Sequence, residues 1–307
     1  MKSLLALILS ITLVAFAANA LAGEDWKGKI YWTIYGGGEI AQAKCDGSNR
    51  TSLVKTGHHP RGLIIDAKNG FMYWANGGQA ESKALDGSIQ KCQMNNCSNT
   101  VKTIVGEGKT AEPIQLTLDR VNGYIYWSDR PRDLVQRSTL DGSKVETVLV
   151  LKAENATWLQ PTGCEVDEES GVLYWAEKSI NRIGRVELAN LKLPYTPKKS
   201  DYIVTEGLNG PAMIKIDKGQ HKIFIADRHS NRISWVSLDG GIPHEIVNTK
   251  FTQPVGLAID HRAGKIFFSE LMGNKISSVN MDGTDMKKIC DNAGPYPVGV
   301  SFVPETE

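Results

Sequence analysis

Proton chemistry in this chain would fall to His58 or His59 as general base, with Glu112, Glu177 or Asp227 as the carboxylate opposite. Imidazole suits that work because its pKa lies near neutrality, and burial can tune a carboxyl to meet it. Other candidates bind rather than react: Arg61, Trp158, Gln160, Asn209, Gln253 and Tyr296. The indole and phenol offer apolar area, and the amides offer paired donors and acceptors. Taken singly, each is equally explained as a solvated loop residue, and His59 as a cap on the loop before Pro60. Apart from the adjacent histidines, no local motif joins these residues. The chain has no G-x-S-x-G elbow, no phosphate loop and no C-x-x-C pair.

A repeat is the device that could assemble them. Apolar-aromatic segments "IYWTI", "MYWAN", "IYWSD", "LYWAE", "IFIAD" and "IFFSE" recur at 42 to 53 residues. Strand patterning at that period means propeller blades or a similar array. A second strand is expected after each, closing on an Asp-Gly turn at Asp46-Gly47, Asp86-Gly87, Asp141-Gly142, Asp239-Gly240 or Asp282-Gly283. A third strand follows ("TSLV", "KTIV", "ETVLV", "DYIV", "HEIV", "KKIC"), then a loop ending at Pro60, Pro113, Pro161, Pro211, Pro254 or Pro297 and a fourth, proline-led strand. Asp66, Asp119, Asp167, Asp217 and Asp260 then open the turn into the next unit. The count predicts an all-β fold, a six-bladed β-propeller of four-stranded antiparallel blades. The first unit lacks a proline-led strand and the last one, "PVGVSF", is left over, so the C-terminal strand closes the ring.

With the proline-led strand innermost, the loops before it and the loops after the Tyr-Trp strand meet at one end of the channel. All the candidates named above lie in or beside those loops. A ligand-binding face is expected there, since loops on a rigid scaffold carry function.

The units, above all "YWSD", "STLDGS" and "QPVGLAID", resemble the YWTD (class B) repeats of the low-density lipoprotein receptor family, whose propellers have six blades. The fifth and sixth units depart from the pattern with Phe224-Ile225 and Phe267-Phe268. The basic residue before the turn is Arg137 or Arg185, with Lys83 as a stand-in in the second unit, and is replaced by Trp235 and Ser278 elsewhere. The resemblance implies a non-enzymatic module that holds a small molecule or partner protein at the channel mouth. The alternative, by analogy with strictosidine-synthase-like propellers, lactonases and pericyclic cyclases, is an enzyme acting in that mouth. Lactonase-type propellers hold a channel calcium with Glu, Asn and Asp, and Glu112, Asn209 and Asp227 would be the matching set; no spacing rule supports it, and the expectation is no cofactor and no metal.

The remaining features set the context. Lys2, an apolar run to Ala18 and Ala20-Leu21-Ala22 read as a signal peptide over residues 1–22, leaving 23–307 as one propeller in the secretory pathway. Balanced charge, with 35 basic and 34 acidic residues, argues against nucleic acid, no segment is long enough to span a membrane, and a monomer is expected. Asn49, Asn96 and Asn155 head glycosylation sequons. Of five cysteines, Cys92 and Cys97 are the expected disulfide; Cys45, Cys164 and Cys290 stand where other units have aliphatic residues and read as buried thiols.

Overall fold

The computed structural model describes residues 27–305 except 58, 80–81, 154–155 and 157. Residues 1–22, read as a signal peptide, and His58 and Asn155 lie outside the described residues. Six four-stranded antiparallel sheets form a ring. Blade one takes its inner strand, Pro297–Pro304, from the C-terminus and pairs it with Gly28–Ile34. The inner strands of blades two to six are Pro60–Asp66, Pro113–Asp119, Pro161–Asp167, Pro211–Asp217 and Pro254–Asp260. Proline leads each because its ring cannot donate to a ladder, and the register slips just after it in every one of these five blades.

The aromatic pairs explain the ring. Trp32, Trp74, Trp127 and Trp175 are fully buried between blades, which is where a single sheet would otherwise expose its faces. Each buried indole N–H finds an acceptor: Ala293 O at 2.8 Å, Gln90 Oε1 at 3.1 Å, Thr110 Oγ1 at 3.1 Å and Glu177 Oε1 at 2.7 Å. Ile225 and Phe268 occupy this position in blades five and six, packing as fully and requiring no acceptor. Arg137 donates to the Tyr126 hydroxyl at 3.2 Å and lies over the Tyr124 ring. Arg185 reaches Leu238 O of the following blade at 3.1 Å.

Two sequence readings are corrected here. The cation of this set in blade two is Lys91, not Lys83: Lys91 pairs with Tyr73, lies 5.1 Å from the Phe71 ring and donates to Leu140 O. Asp86-Gly87 is not the hairpin turn of that blade, because its third strand is Ser88–Gln93 and begins after it. The turn is replaced by a 3₁₀ turn and a one-turn helix, Cys97–Thr100, closed by the Cys92–Cys97 disulfide. Cys45, Cys164 and Cys290 are buried free thiols, as expected. Asn49 and Asn96 are exposed.

The Asp-Gly turns do more than reverse the chain. Gly142 has φ +83°, and a Cβ there would lie 1.9 Å from Ile104 O of the preceding blade. Left-handed backbone and contact with a neighbouring main chain both demand glycine. Gly142→Ala should therefore lower stability by roughly 2 kcal/mol or more in urea unfolding. A change below about 0.5 kcal/mol would show that the blades separate easily at this turn.

Candidate functional site

At the end where the loops before the inner strands meet those after the second strands, the backbone itself is unusual. The residue preceding the inner-strand proline has positive φ in five blades: His59 (42°), Gln160 (53°), Gly210 (69°), Gln253 (56°) and Tyr296 (57°). For a non-glycine residue this costs of order 1 kcal/mol. Four of these residues are latched by a side chain from the preceding blade. Asp133 Oδ1 accepts from Gln160 N at 3.0 Å, Asn181 from Gly210 N at 2.7 Å, Asn231 from Gln253 N at 3.2 Å and Asn274 from Tyr296 N at 2.9 Å. The latching residues are themselves left-handed, a conformation Asn and Asp tolerate. They were missed in the sequence, although "NRI", "NRI" and "NKI" ahead of three third strands is a readable signal.

Glu112 is the exception and the centre of the site. It is fully buried, with Arg130 of its own blade donating through Nε and Nη2 at 2.7–3.1 Å and Arg61 of blade two donating to Oε1. Arg61 also lies over the Tyr35 ring at 4.3 Å, and Tyr35 stacks on His59. His59 Nδ1 sits 3.0 Å from Gly78 O. Trp158 is half-buried and donates to Arg130 O at 3.4 Å. Arg228 donates to Gln253 Oε1 across the blade five to blade six boundary at 2.9 and 3.1 Å. Arg61, Glu112, Trp158, His59 and Gln253 thus share one face with Tyr296.

Glu177 and Asp227 are turned into their blades instead. Glu177 Oε1 accepts from Trp175 and from the Tyr202 hydroxyl, while Oε2 is buried with no partner among the described residues. Asp227 accepts from Asn209 N at 2.8 Å and from Arg232 at 2.9 Å. Burial raises the pKa of both carboxyls. For Glu177 the sign follows: a carboxyl raised above its ordinary 4.5 contributes its full stabilisation below that value and loses it as pH rises through the folded pKa. Glu177→Gln should abolish that loss and be neutral or stabilising by about 1 kcal/mol at pH 7, measured by urea unfolding at pH 4 and pH 7. A loss above about 2 kcal/mol at pH 7 would mean the ionised carboxylate is needed.

Of the Glu112, Asn209 and Asp227 set, Glu112 is clamped by two guanidiniums and Asp227 by a third.

Inside the ring Gln115 of blade three bridges the next two blades, donating to Ile214 O of blade five at 2.7 Å and to Glu165 of blade four at 3.0 Å while accepting from Ile214 N. Below it, at the end opposite the candidate face, lies an open cavity of about 670 Å³. Glu165 and Lys215, paired at 2.9 Å, stand on its wall with Ile64, Thr117 and Ile259.

The fold and its repeats define a six-bladed YWTD-type propeller similar to the propeller domain of the low-density lipoprotein receptor family. No profile of a known protein family matches the chain. It is 30% identical over 204 residues to low-density lipoprotein receptor-related protein 1 of Pyricularia oryzae, covering 62% of this chain and 64% of that protein. With mouse low-density lipoprotein receptor-related protein 5 it shares 29% identity over 196 residues, 64% of this chain but 11% of the relative. The chain therefore spans less than two thirds of these relatives. The crystal structure of a nidogen–laminin complex contains a chain of the same fold, with TM-score 0.73, 14% identity and coverage of 90% here and 98% there. A catalytically inactive virginiamycin B lyase from Staphylococcus aureus, solved with quinupristin, superposes with TM-score 0.59, 17% identity and coverage of 92% and 90%.

Proposed function

We infer that this chain is a secreted binding module that engages a protein partner on the face carrying Glu112 and its arginines. The observation that carries this reading is the distribution of exposed apolar side chains. Phe251, Met272 and Tyr296, 86%, 55% and 45% exposed, lie in hydrogen-bonded neighbouring loops of this face within blade six and the entry to blade one, whereas the other exposed large apolar residues, Val101, Val121, Ile242 and Met286, come singly from blades two, three, five and six. Apolar anchors beside a charged, structured centre are the composition of a protein interface rather than of a solvated loop end. The arginine-rich centre favours a partner that is acidic where it meets the mouth. Similarity to receptor-related proteins and to the propeller of a nidogen–laminin complex supports the class, and a disulfide accords with an oxidising compartment. No helix among the described residues is long and apolar enough to cross a membrane.

Phe251→Ser and Tyr296→Ser should each weaken capture of the partner from the extracellular fluid of the source by about tenfold or more. Val121→Ser, at an exposed turn on the opposite end, should capture the same protein as the parent. Loss with Val121→Ser and retention with Phe251→Ser would reverse the assignment of the face. A second reading, a small molecule held as in the lyases, rests on the cavity beside Glu165 and Lys215. Native mass spectrometry showing a retained compound in the parent but not in Glu165→Gln would favour it.

A further inference from the structure

Three guanidiniums of the candidate face have one bonded carboxylate between them. Arg61, Arg130 and Arg228 come from blades two, three and five, and all are largely shielded from water. Arg61 and Arg130 share Glu112, and the other carboxylates of this end are held elsewhere: Asp227 with Arg232, Asp129 with Arg132 and the backbone of Ala111 and Glu112, Asp133 with the backbone of Leu159 and Gln160, Glu177 with Trp175 and Tyr202, and Glu270 with the hydroxyls of Thr252 and Ser277. Among the described residues Arg228 is paired with no carboxylate; its Nε and Nη2 both donate to the single amide oxygen of Gln253. Arg61 Nε is buried with no acceptor among the described residues. Burial, followed by repulsion from Arg130 and Arg61, depresses the pKa of Arg228, so the three guanidiniums lie within electrostatic range of one another.

Buried charge is ordinarily paired, and a guanidinium removed from water without an anion is costly. The three guanidiniums have Glu112 as their one bonded carboxylate among the described residues. The carboxylates at the opposite end of the channel, Glu165, Asp167, Glu168, Glu169 and Asp217, lie there with Arg120, Lys215 and Lys218.

We propose that Arg61, Arg130 and Arg228 form an oxyanion site at the channel mouth, recognising a carboxylate or phosphate group by charge-assisted donation from more than one guanidinium. The proposal rests on the reading of this face as the binding face and names the chemistry it takes there. Guanidinium forks match both oxyanions, and convergence from three blades gives the site a fixed geometry. In a complex the group is an acidic or phosphorylated side chain of the partner; free in solution it is a small organic acid or phosphate.

Titration calorimetry of the whole protein with glutarate and with inorganic pyrophosphate, at constant ionic strength in chloride, tests this. Saturable binding of at least one is expected. Arg228→Gln should weaken it tenfold or more, Arg228→Lys should fall between, and Arg262→Gln, which removes the same charge from an exposed turn at the other end, should leave it unchanged. Glutarate alone assigns a carboxylate ligand, pyrophosphate alone a phosphorylated one. Absence of binding by both, equal affinity in Arg228→Gln and the parent, or equal loss in Arg262→Gln would overturn the site. Anion binding is read on the protein alone, with no partner present, so loss of it in Arg228→Gln bears on the arginines, whereas failure to capture a partner bears on the protein interface.

Discussion

A chain ending at Pro297 should show no cooperative unfolding transition. The strand Pro297–Pro304 is the inner strand of blade one, hydrogen-bonded along Gly28–Ile34 and packed between the inner strands of blades two and six. Val298 and Val300 are buried, Ser269 Oγ of blade six donates to Val298 O, Ser301 Oγ donates to Leu63 O of blade two, and the Gly299 amide donates to Thr33 Oγ1 within blade one. Deleting it opens the ring between its first and last blades, leaving Ile30, Trp32 and Phe267 facing water. Each such side chain contributes roughly 2 to 3 kcal/mol of burial, so together with the lost Val298 and Val300 the deficit is comparable to the roughly 5 to 15 kcal/mol that holds a typical domain folded. Circular dichroism against temperature checks it. A truncated protein with the parent's melting temperature would mean that blade one stands without closure.

The second large effect is expected at Glu112. Removing its carboxylate in Glu112→Ala strands Arg61 and Arg130 in a buried site already rich in positive charge. Breaking a buried pair from one side costs about 3 to 5 kcal/mol, because the surviving charge keeps its desolvation penalty. The urea midpoint should fall accordingly with the slope unchanged. A loss below about 1 kcal/mol would show that water or another anion replaces the carboxylate readily.

Much of the architecture was legible because propeller signals repeat. Four Tyr-Trp segments with Phe224-Ile225 and Phe267-Phe268, the proline heading each inner strand and the leftover "PVGVSF" specify number, order and closure without reference to any contact. Blade two misled where its own sequence broke the rhythm: Asp86-Gly87 resembles a hairpin turn, while the disulfide turn at Cys92–Cys97 performs that role. Residue type alone could not separate Glu112 from Glu177. Both end up fully buried at one end of the channel, yet one meets arginines from two blades and the other an indole and a phenol. Those partners lie 18 to 51 residues from Glu112 and are set by blade packing, which period and composition do not encode. The cavity was likewise invisible, since its walls come from inner strands of different blades and the Gln115 bonds beside it reach groups 50 and 99 residues away. The latching Asn and Asp residues were legible in principle, as a recurring short motif.

The most direct test of the binding face is hydroxyl-radical footprinting of the protein with its partner, recovered from the source, compared with the protein alone. Phe251, Met272 and Tyr296 should become protected in the complex, while Val121 and Met286, exposed at the opposite end, should react equally in both states. Protection of Val121 and Met286 with Phe251 and Tyr296 unchanged would contradict the assignment.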